Sequence, residues 1–415
     1  MNNDEIQVLG TGKRDRKLYN LTMAVVAIVA MVIGAGLYWA FSQDRTEKIK
    51  TGEEMGNSTI IAELQHTVDS LLRDKMDSID AVQGQVIVME VRTGKILSMV
   101  GLERNFEGKL QPCNNFAYQQ EAGSLIEPVS MLAVLESGKV TISDCVFTEH
   151  GFWQVDDEYS IKDHNWHRGG YGTLTFSQTL EQSSNIGIVK FVTRAFESNP
   201  RQFLSTLDKM SYGQPGKIEG IESLKPAQYS FPKDSTLSYR KIWQRAIGCE
   251  GKIAPIQLLT FYNAIANGGK MVKPTLKTGM IEVINPQIAS KANIDSMQVV
   301  LENVVCLGLG HKARPHFVSV AGKHGSAQVR QYDFWQPNGL NEDPYISLNE
   351  YQIGFCGYFP AEAPLYSIIV SMNKWGIPAS GGGMAAPVFR SIVEWLCEQD
   401  PHRVLRSLNV NGRQQ

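Results

Sequence analysis

The chain has 415 residues, 43% of them hydrophobic and 20% charged, with a formal net charge of −2. That length leaves ample sequence to bury a core in one large domain or two medium ones. Near balance of charge gives no reason to invoke nucleic acid as a partner, and there are no internal repeats or low-complexity tracts.

Read in chain order, the first notable run is Leu21 to Phe41, "LTMAVVAIVAMVIGAGLYWAF", which carries no charge. As a helix it is about 30 Å long, enough to cross a bilayer core. Lys13, Arg14, Arg16 and Lys17 precede it, and Tyr38 and Trp39 sit where an interfacial aromatic belt would lie. These features predict a cytoplasmic tail over 1–20, a single transmembrane anchor over 21–41 and an exported C-terminal bulk. A cleaved signal peptide is the competing reading, since Ala40 and Ser42 loosely imitate a cleavage site. The apolar run exceeds the roughly 7–15 residues of a signal h-region, which favours an uncleaved anchor.

Residues 42–58 read as a polar linker. Ile60, Ile61, Leu64, Val68, Leu71, Leu72, Met76 and Ile79 then recur at helical spacing, predicting a helix over about 59–80. "GQVIVMEVRTGKILSMVG" reads as a β-hairpin around "RTG". Buried helices are predicted from Ser124 to about Gly138, over 175–196, and over 255–267, the last with proline in its first turn and "NGG" closing it. "FVSVAGKHGSAQV", "YQIGFCGYFP" and "YSIIVSMNKW" read as neighbouring antiparallel strands, and "GMAAPVFRSIVEWLCEQ" as a closing amphipathic helix. "PASGGG", residues 378–383, reads as a flexible turn before that helix; it lacks the lysine and hydroxyl of a phosphate loop. The expected architecture is one α/β unit over 59–400, an antiparallel sheet built from both chain ends and flanked by helices, with an all-α lobe inserted, and then a tail over 401–415.

Six cysteines lie far apart without C-x-x-C spacing, so neither a zinc site nor a redox motif is indicated. In an exported domain one disulfide is possible, with partners the spacing does not choose. His164 and His167 in "KDHNWHRGG" stand three apart, but no carboxylate or cysteine cluster accompanies them, and no metal or cofactor is expected.

Three short signatures fall at the boundaries between the lobes: Ser124 with Glu127, Ser183-Ser184-Asn185, and Lys323-His324-Gly325-Ser326. A serine at a helix N-terminus gains from the helix dipole and from free backbone N–H groups able to hold an oxyanion. A second serine and an amide can relay a proton and hold a substrate amide. A lysine and a glycine on an edge strand offer a cation and a close-approaching backbone for an extended ligand.

In order and context these signatures resemble the S-x-x-K, S-x-N and K-[TS]-G-[TS] motifs of the penicillin-binding proteins, the serine D,D-transpeptidases of peptidoglycan synthesis. "EAGSLIEPVSMLAVLESG", "GYGTLTFSQTLEQSSNIG", "AIGCEGKIAPIQLLTFYNAIANGGKMVKP", "VAGKHGSAQV" and "GGGMAAPVFRSIVEWL" carry the likeness over roughly residues 80–397. The anchor is similar to that of the class B, transpeptidase-only members, without their large N-terminal pedestal. The resemblance implies the penicillin-binding/serine β-lactamase-like transpeptidase fold. It implies a bacterial inner-membrane, single-pass protein with its domain in the periplasm, a peptidoglycan stem peptide or β-lactam as ligand, and other cell-wall synthesis or division proteins as partners. It also implies roles: Ser124 as acylated nucleophile, Ser183 as proton shuttle, Asn185 on the substrate amide, Lys323 as a source of positive potential. Gly325 would allow the substrate's close approach, and Ser326 would bind its carboxylate and offer a backbone N–H beside that of Ser124.

Two positions depart from the pattern. Glu127 replaces the lysine one helical turn after the serine, on the same helix face. A buried glutamate can act as a base when its pKa rises, whereas a salt bridge to Lys323 would hold it ionised and weakly basic. His324 replaces a small hydroxyl residue; it reads as an outward-facing strand residue, or as a substitute base from the opposite wall. Three functions are thus open: a degenerate member kept for binding or scaffolding, an active acyl-enzyme using Glu127 or His324, and an envelope receptor for wall fragments or β-lactams.

Overall fold

The computed structural model describes residues 58–228, 238–335 and 345–404. The predicted anchor over 21–41 lies outside the described residues, and among those described no helix is long and apolar enough to cross a membrane.

The chain first lays down helix α1 (Ala62–Ser78), whose Leu64, Val68, Leu72 and Met76 fall on one face and are buried. It continues into strands β1 (Ala81–Glu90), β2 (Ile96–Arg104) and β3 (Leu110–Pro112). Helices α2 (Glu127–Glu136), α3 (Phe176–Glu181), α4 (Asn185–Phe196), α5 (Arg201–Lys209), α6 (Tyr239–Ala246), α7 (Pro255–Ala266) and α8 (Lys291–Cys306) follow. Strands β4 (Ala321–Trp335), β5 (Tyr345–Phe359) and β6 (Tyr366–Trp375) then precede α9 (Ala386–Gln399).

The six strands form one antiparallel sheet in the order β4-β5-β6-β1-β2-β3. Both chain ends therefore meet along β1 and β6, with Val86 opposite Val370. The sheet is covered on both faces, which explains why β1 carries the continuous apolar run Val86–Met89. Val86 and Val88 face the core made with α1 and α9, while Ile87 and Met89 face the core made with α2, α7 and α8. Helix α7 is buried along its whole length and α2 along all but its last residue, so both lie at the centre of the domain.

Four expectations need correction. The inserted lobe is not all-α: short antiparallel pairs join 145–147 to 173–175, 152–154 to 160–162 and 271–272 to 283–285. Alternating residues such as Val146 and Ile161, each buried beside exposed neighbours, supply a two-residue period too brief to stand out in the sequence. The helix predicted over 175–196 is two helices, because Ser183 adopts φ +50 and Ser184 caps a new start, its Oγ accepting from Gly187 N. Residues 378–383 are not a free turn: the Ser380 hydroxyl accepts from Gly383 N, and Gly381 packs against Gly325 and Gly354. Residues 401–404 are helical with Val404 buried, so the domain runs past the predicted start of the tail. Helices α5, α6 and α8 had no counterpart in the sequence reading. All six cysteines are free thiols.

Candidate active site

The site is a meeting of three backbones. Ser124 sits on a 3₁₀ turn, Gly123–Ile126, that runs straight into α2. Only glycine fits before it: Gly123 has φ +54, and a Cβ there would fall 2.7 Å from the Ser326 carbonyl oxygen on β4. Gly248, with φ +90, approaches so closely from behind that its Cβ would lie 2.0 Å from the Gly123 carbonyl oxygen. The buried Tyr262 hydroxyl donates to Leu125 O at 2.7 Å. The turn is thus pinned between an edge strand of the sheet and the central helix α7.

The second backbone is the bend between α3 and α4. Ser183 holds a left-handed conformation, uncommon for a residue with a Cβ and found most often where function or packing demands it. Behind the bend, Asp163 fixes it from two sides, accepting from Ser184 Oγ at 2.7 Å and from Ile186 N at 3.1 Å. Burial raises the Asp163 carboxyl above its ordinary pKa. Asn185 Nδ2 donates to Lys162 O at 2.9 Å. Sequence reasoning missed Asp163, taking "KDHNWHRGG" only for its histidines; an isolated aspartate in a loop carries no local signal of such a role. The two histidines do not converge: His164 leans on Tyr171 and His167 on Trp166.

The third backbone is β4, which brings Lys323 into the interior. Its ammonium donates to Ser183 Oγ at 2.9 Å and to His324 O at 2.9 Å, and stands 3.3 Å from Glu127 Oε2. Ser183 Oγ in turn donates to Glu127 Oε1 at 2.8 Å. Glu127 and Lys323 are both 0% exposed, so the chain buries an ion pair bridged by a serine. The first turn of α2 holds the Glu127 carboxylate, where the helix dipole favours an anion. Burial pulls the Lys323 ammonium below the usual lysine value, against the opposing pull of the Glu127 carboxylate.

Glu127, Ser183 and Lys323 therefore meet in direct contact, Gly325 and Ser326 lie against the turn that carries Ser124, and Asn185 follows Ser183 on the same bend. Gly325 is required there, since a Cβ would fall 2.7 Å from Leu125 N. The Ser326 side chain is exposed, its Oγ accepting from Gly381 N at 3.0 Å. No hydrogen bond joins the Ser124 hydroxyl to Glu127: among the described residues the carboxylate is engaged by Ser183 and Lys323 instead. His324 corrects the outward-facing reading. Its Nε2 is buried without a hydrogen-bond partner, and its ring lies against Gly382. Burial first, then the Lys323 charge, hold the imidazole well below its ordinary pKa, so it is neutral.

Comparison with known proteins agrees with this geometry. The chain is 24% identical over 364 residues to stage V sporulation protein D of Bacillus subtilis, covering 80% of this chain and 53% of that protein. It is 26% identical over 327 residues to a probable peptidoglycan D,D-transpeptidase, PbpC, of Pseudomonas aeruginosa, covering 75% and 53%. The chain thus spans about half the length of these curated relatives. Among solved structures, the transpeptidase domain of Burkholderia pseudomallei penicillin-binding protein 3 superposes with a TM-score of 0.67 at 23% identity, over 83% of this chain and 96% of that one. The family model for the penicillin binding protein transpeptidase domain matches residues 84–394, which spans the sheet, the central helices and all three signatures, and the chain belongs to that family.

Proposed function

We propose that this chain is a membrane-anchored penicillin-binding-protein-like component of peptidoglycan synthesis that binds wall peptide or holds partner proteins without forming an acyl-enzyme. One observation carries the reading: Glu127, at the position of the family's lysine, is spent in a buried bridge to Ser183 and Lys323 and makes no bond to Ser124. A general base must reach the proton it takes. The Glu127 carboxylate accepts from Ser183 and faces the Lys323 ammonium, so it is turned away from the proton it would have to take. Ser183, the proton shuttle by resemblance, already donates its hydroxyl proton to that carboxylate and accepts from the ammonium. Loss of the base for a serine nucleophile costs orders of magnitude in rate. The relatives' names tie the family to peptidoglycan D,D-transpeptidation, and the uncharged run over 21–41 supports the anchor.

The test is covalent labelling of the full chain by a fluorescent penicillin. The native protein is expected to stay unlabelled, and Glu127→Lys to gain label that Ser124→Ala removes. Label on the native protein that disappears in Ser124→Ala would show an active acyl-enzyme and end the proposal.

A further inference from the structure

The cation that the family resemblance assigns to a ligand carboxylate is engaged inside the protein by two hydrogen bonds and a buried counter-charge. Lys323 has three ammonium hydrogens. Two are donated, to Ser183 Oγ and His324 O, each at 2.9 Å, and the third side of the ammonium faces Glu127 Oε2 at 3.3 Å. The pair carries no net charge, and neither side chain is exposed. An anion arriving at the cleft would compete with a buried carboxylate already in place. His324, where the family has a small hydroxyl residue, contributes no charge, and its ring is turned in against Gly382. The other titratable groups felt at His324 are His164 and His311; burial first, then the Arg168 charge, hold the His164 imidazole below its ordinary pKa, and Arg168 is itself exposed, where water and salt leave a charge pair little worth.

What remains for a ligand is neutral. Ser326 accepts a bond from Gly381 N, which leaves its hydroxyl hydrogen to donate. Strand β4 lies at the edge of the sheet, the position at which an extended peptide adds by main-chain hydrogen bonds. The geometry points to an edge strand built for an extended peptide whose end carries no free carboxylate: one that is amidated or continues into a further residue. This rests on the proposed reading that the cleft binds wall peptide.

Two synthetic stem pentapeptides, identical except for a terminal carboxylate or carboxamide and each bearing an N-terminal fluorophore, are titrated into the detergent-solubilised full chain by anisotropy. The carboxamide is expected to bind at least as tightly as the acid. In Glu127→Gln, which removes the competing carboxylate, an incoming acid can recharge Lys323, and at pH 6 the acid is expected to gain about tenfold relative to the amide, the worth of one charge-assisted bond. Glu127→Lys serves the same comparison should the glutamine variant not fold. An acid favoured tenfold in the native protein, an acid-to-amide ratio unmoved in a folded variant, or no binding of either peptide would overturn the inference. Penicillin labelling of the same preparation reports on the non-acylating reading separately, since label at Ser124 would sink that reading and leave the peptide ratio standing.

Discussion

Replacing Glu127 by glutamine keeps the shape of the side chain and removes its charge. Glutamine can still accept from Ser183 through its oxygen, but Lys323 is left as a fully buried cation without a counter-charge. The attraction lost is about 5 kcal/mol at 3.3 Å and an effective dielectric near 20. Breaking a buried pair from one side typically costs about 3–5 kcal/mol. The lysine has one escape, which is to lose its proton. At pH 7 that costs roughly 4.5 kcal/mol for a group with an unfolded pKa near 10.4, and about 1.4 kcal/mol less for each pH unit above. The sign follows from linkage. Glu127 opposes the burial that lowers the Lys323 pKa, so its removal lowers that pKa further. Wherever folded Lys323 is neutral and unfolded lysine is charged, the unfolded state binds more protons and stability rises with pH. The glutamine variant should therefore be several kcal/mol less stable than native protein at pH 7, with the gap narrowing toward pH 9. Thermal and urea unfolding across that range measure it. A variant as stable as the native protein, or a deficit that does not change with pH, would refute an ionised Glu127–Lys323 pair.

Other substitutions probe the supports of the site. Ser183→Ala removes the bridge between the two charges and relieves a left-handed residue only slightly; it is expected to cost about 1–3 kcal/mol, read by urea unfolding. Gly123→Ala puts a methyl group against the Ser326 carbonyl at φ +54 and should cost at least about 1–2 kcal/mol while separating the Ser124 turn from β4; amide exchange at 124–126 should rise. Asp163→Asn leaves one of two donors, Ser184 Oγ or Ile186 N, facing an amide N–H. It should destabilise at neutral pH by about 1–3 kcal/mol, with the deficit growing as pH falls toward 4, because the raised Asp163 pKa makes native stability increase on acidification there.

The sheet was legible because its strands announce themselves chemically. "VIVM" in β1 and "SIIV" in β6 are apolar on both faces, and the helix between Leu64 and Met76 keeps one face in strict phase. The three signatures were legible because catalysis-like chemistry needs particular residue types at short spacing. What could not be read is long-range direction. Whether the His324 ring turns to solvent or against Gly382 depends on a glycine turn 58 residues later, and the break at Ser183 depends on Asp163 capping from another loop. Helices α5 and α6 are amphipathic but short, and their registers fall between loops rich in glycine and proline. Helical phase placed Glu127 on the face of Ser124, and the family resemblance placed Lys323 near it; only the fold shows that Ser183 is shared between the two charges and that Ser124 makes no bond to Glu127.

The same electrostatics links stability to reactivity at this position. In the family pattern a second lysine would stand where Glu127 stands, so that two ammonium groups would face each other across Ser183. At the present separation of 3.3 Å their repulsion is about as large as the present attraction, which makes it cheaper for one of them to give up its proton. A neutral buried amine is what a serine nucleophile needs as a base. The family's reactivity and the strain in its site would then share one origin, and on the proposed reading the glutamate here relaxes that strain at the expense of the reactivity. Glu127→Lys should accordingly gain penicillin label and lose stability together, by about 3–5 kcal/mol at pH 7, with the loss shrinking as pH rises and the amines shed their charge. A lysine variant that labels while remaining as stable as the native chain would show that the two properties are separable, and that the buried pair does not govern Ser124.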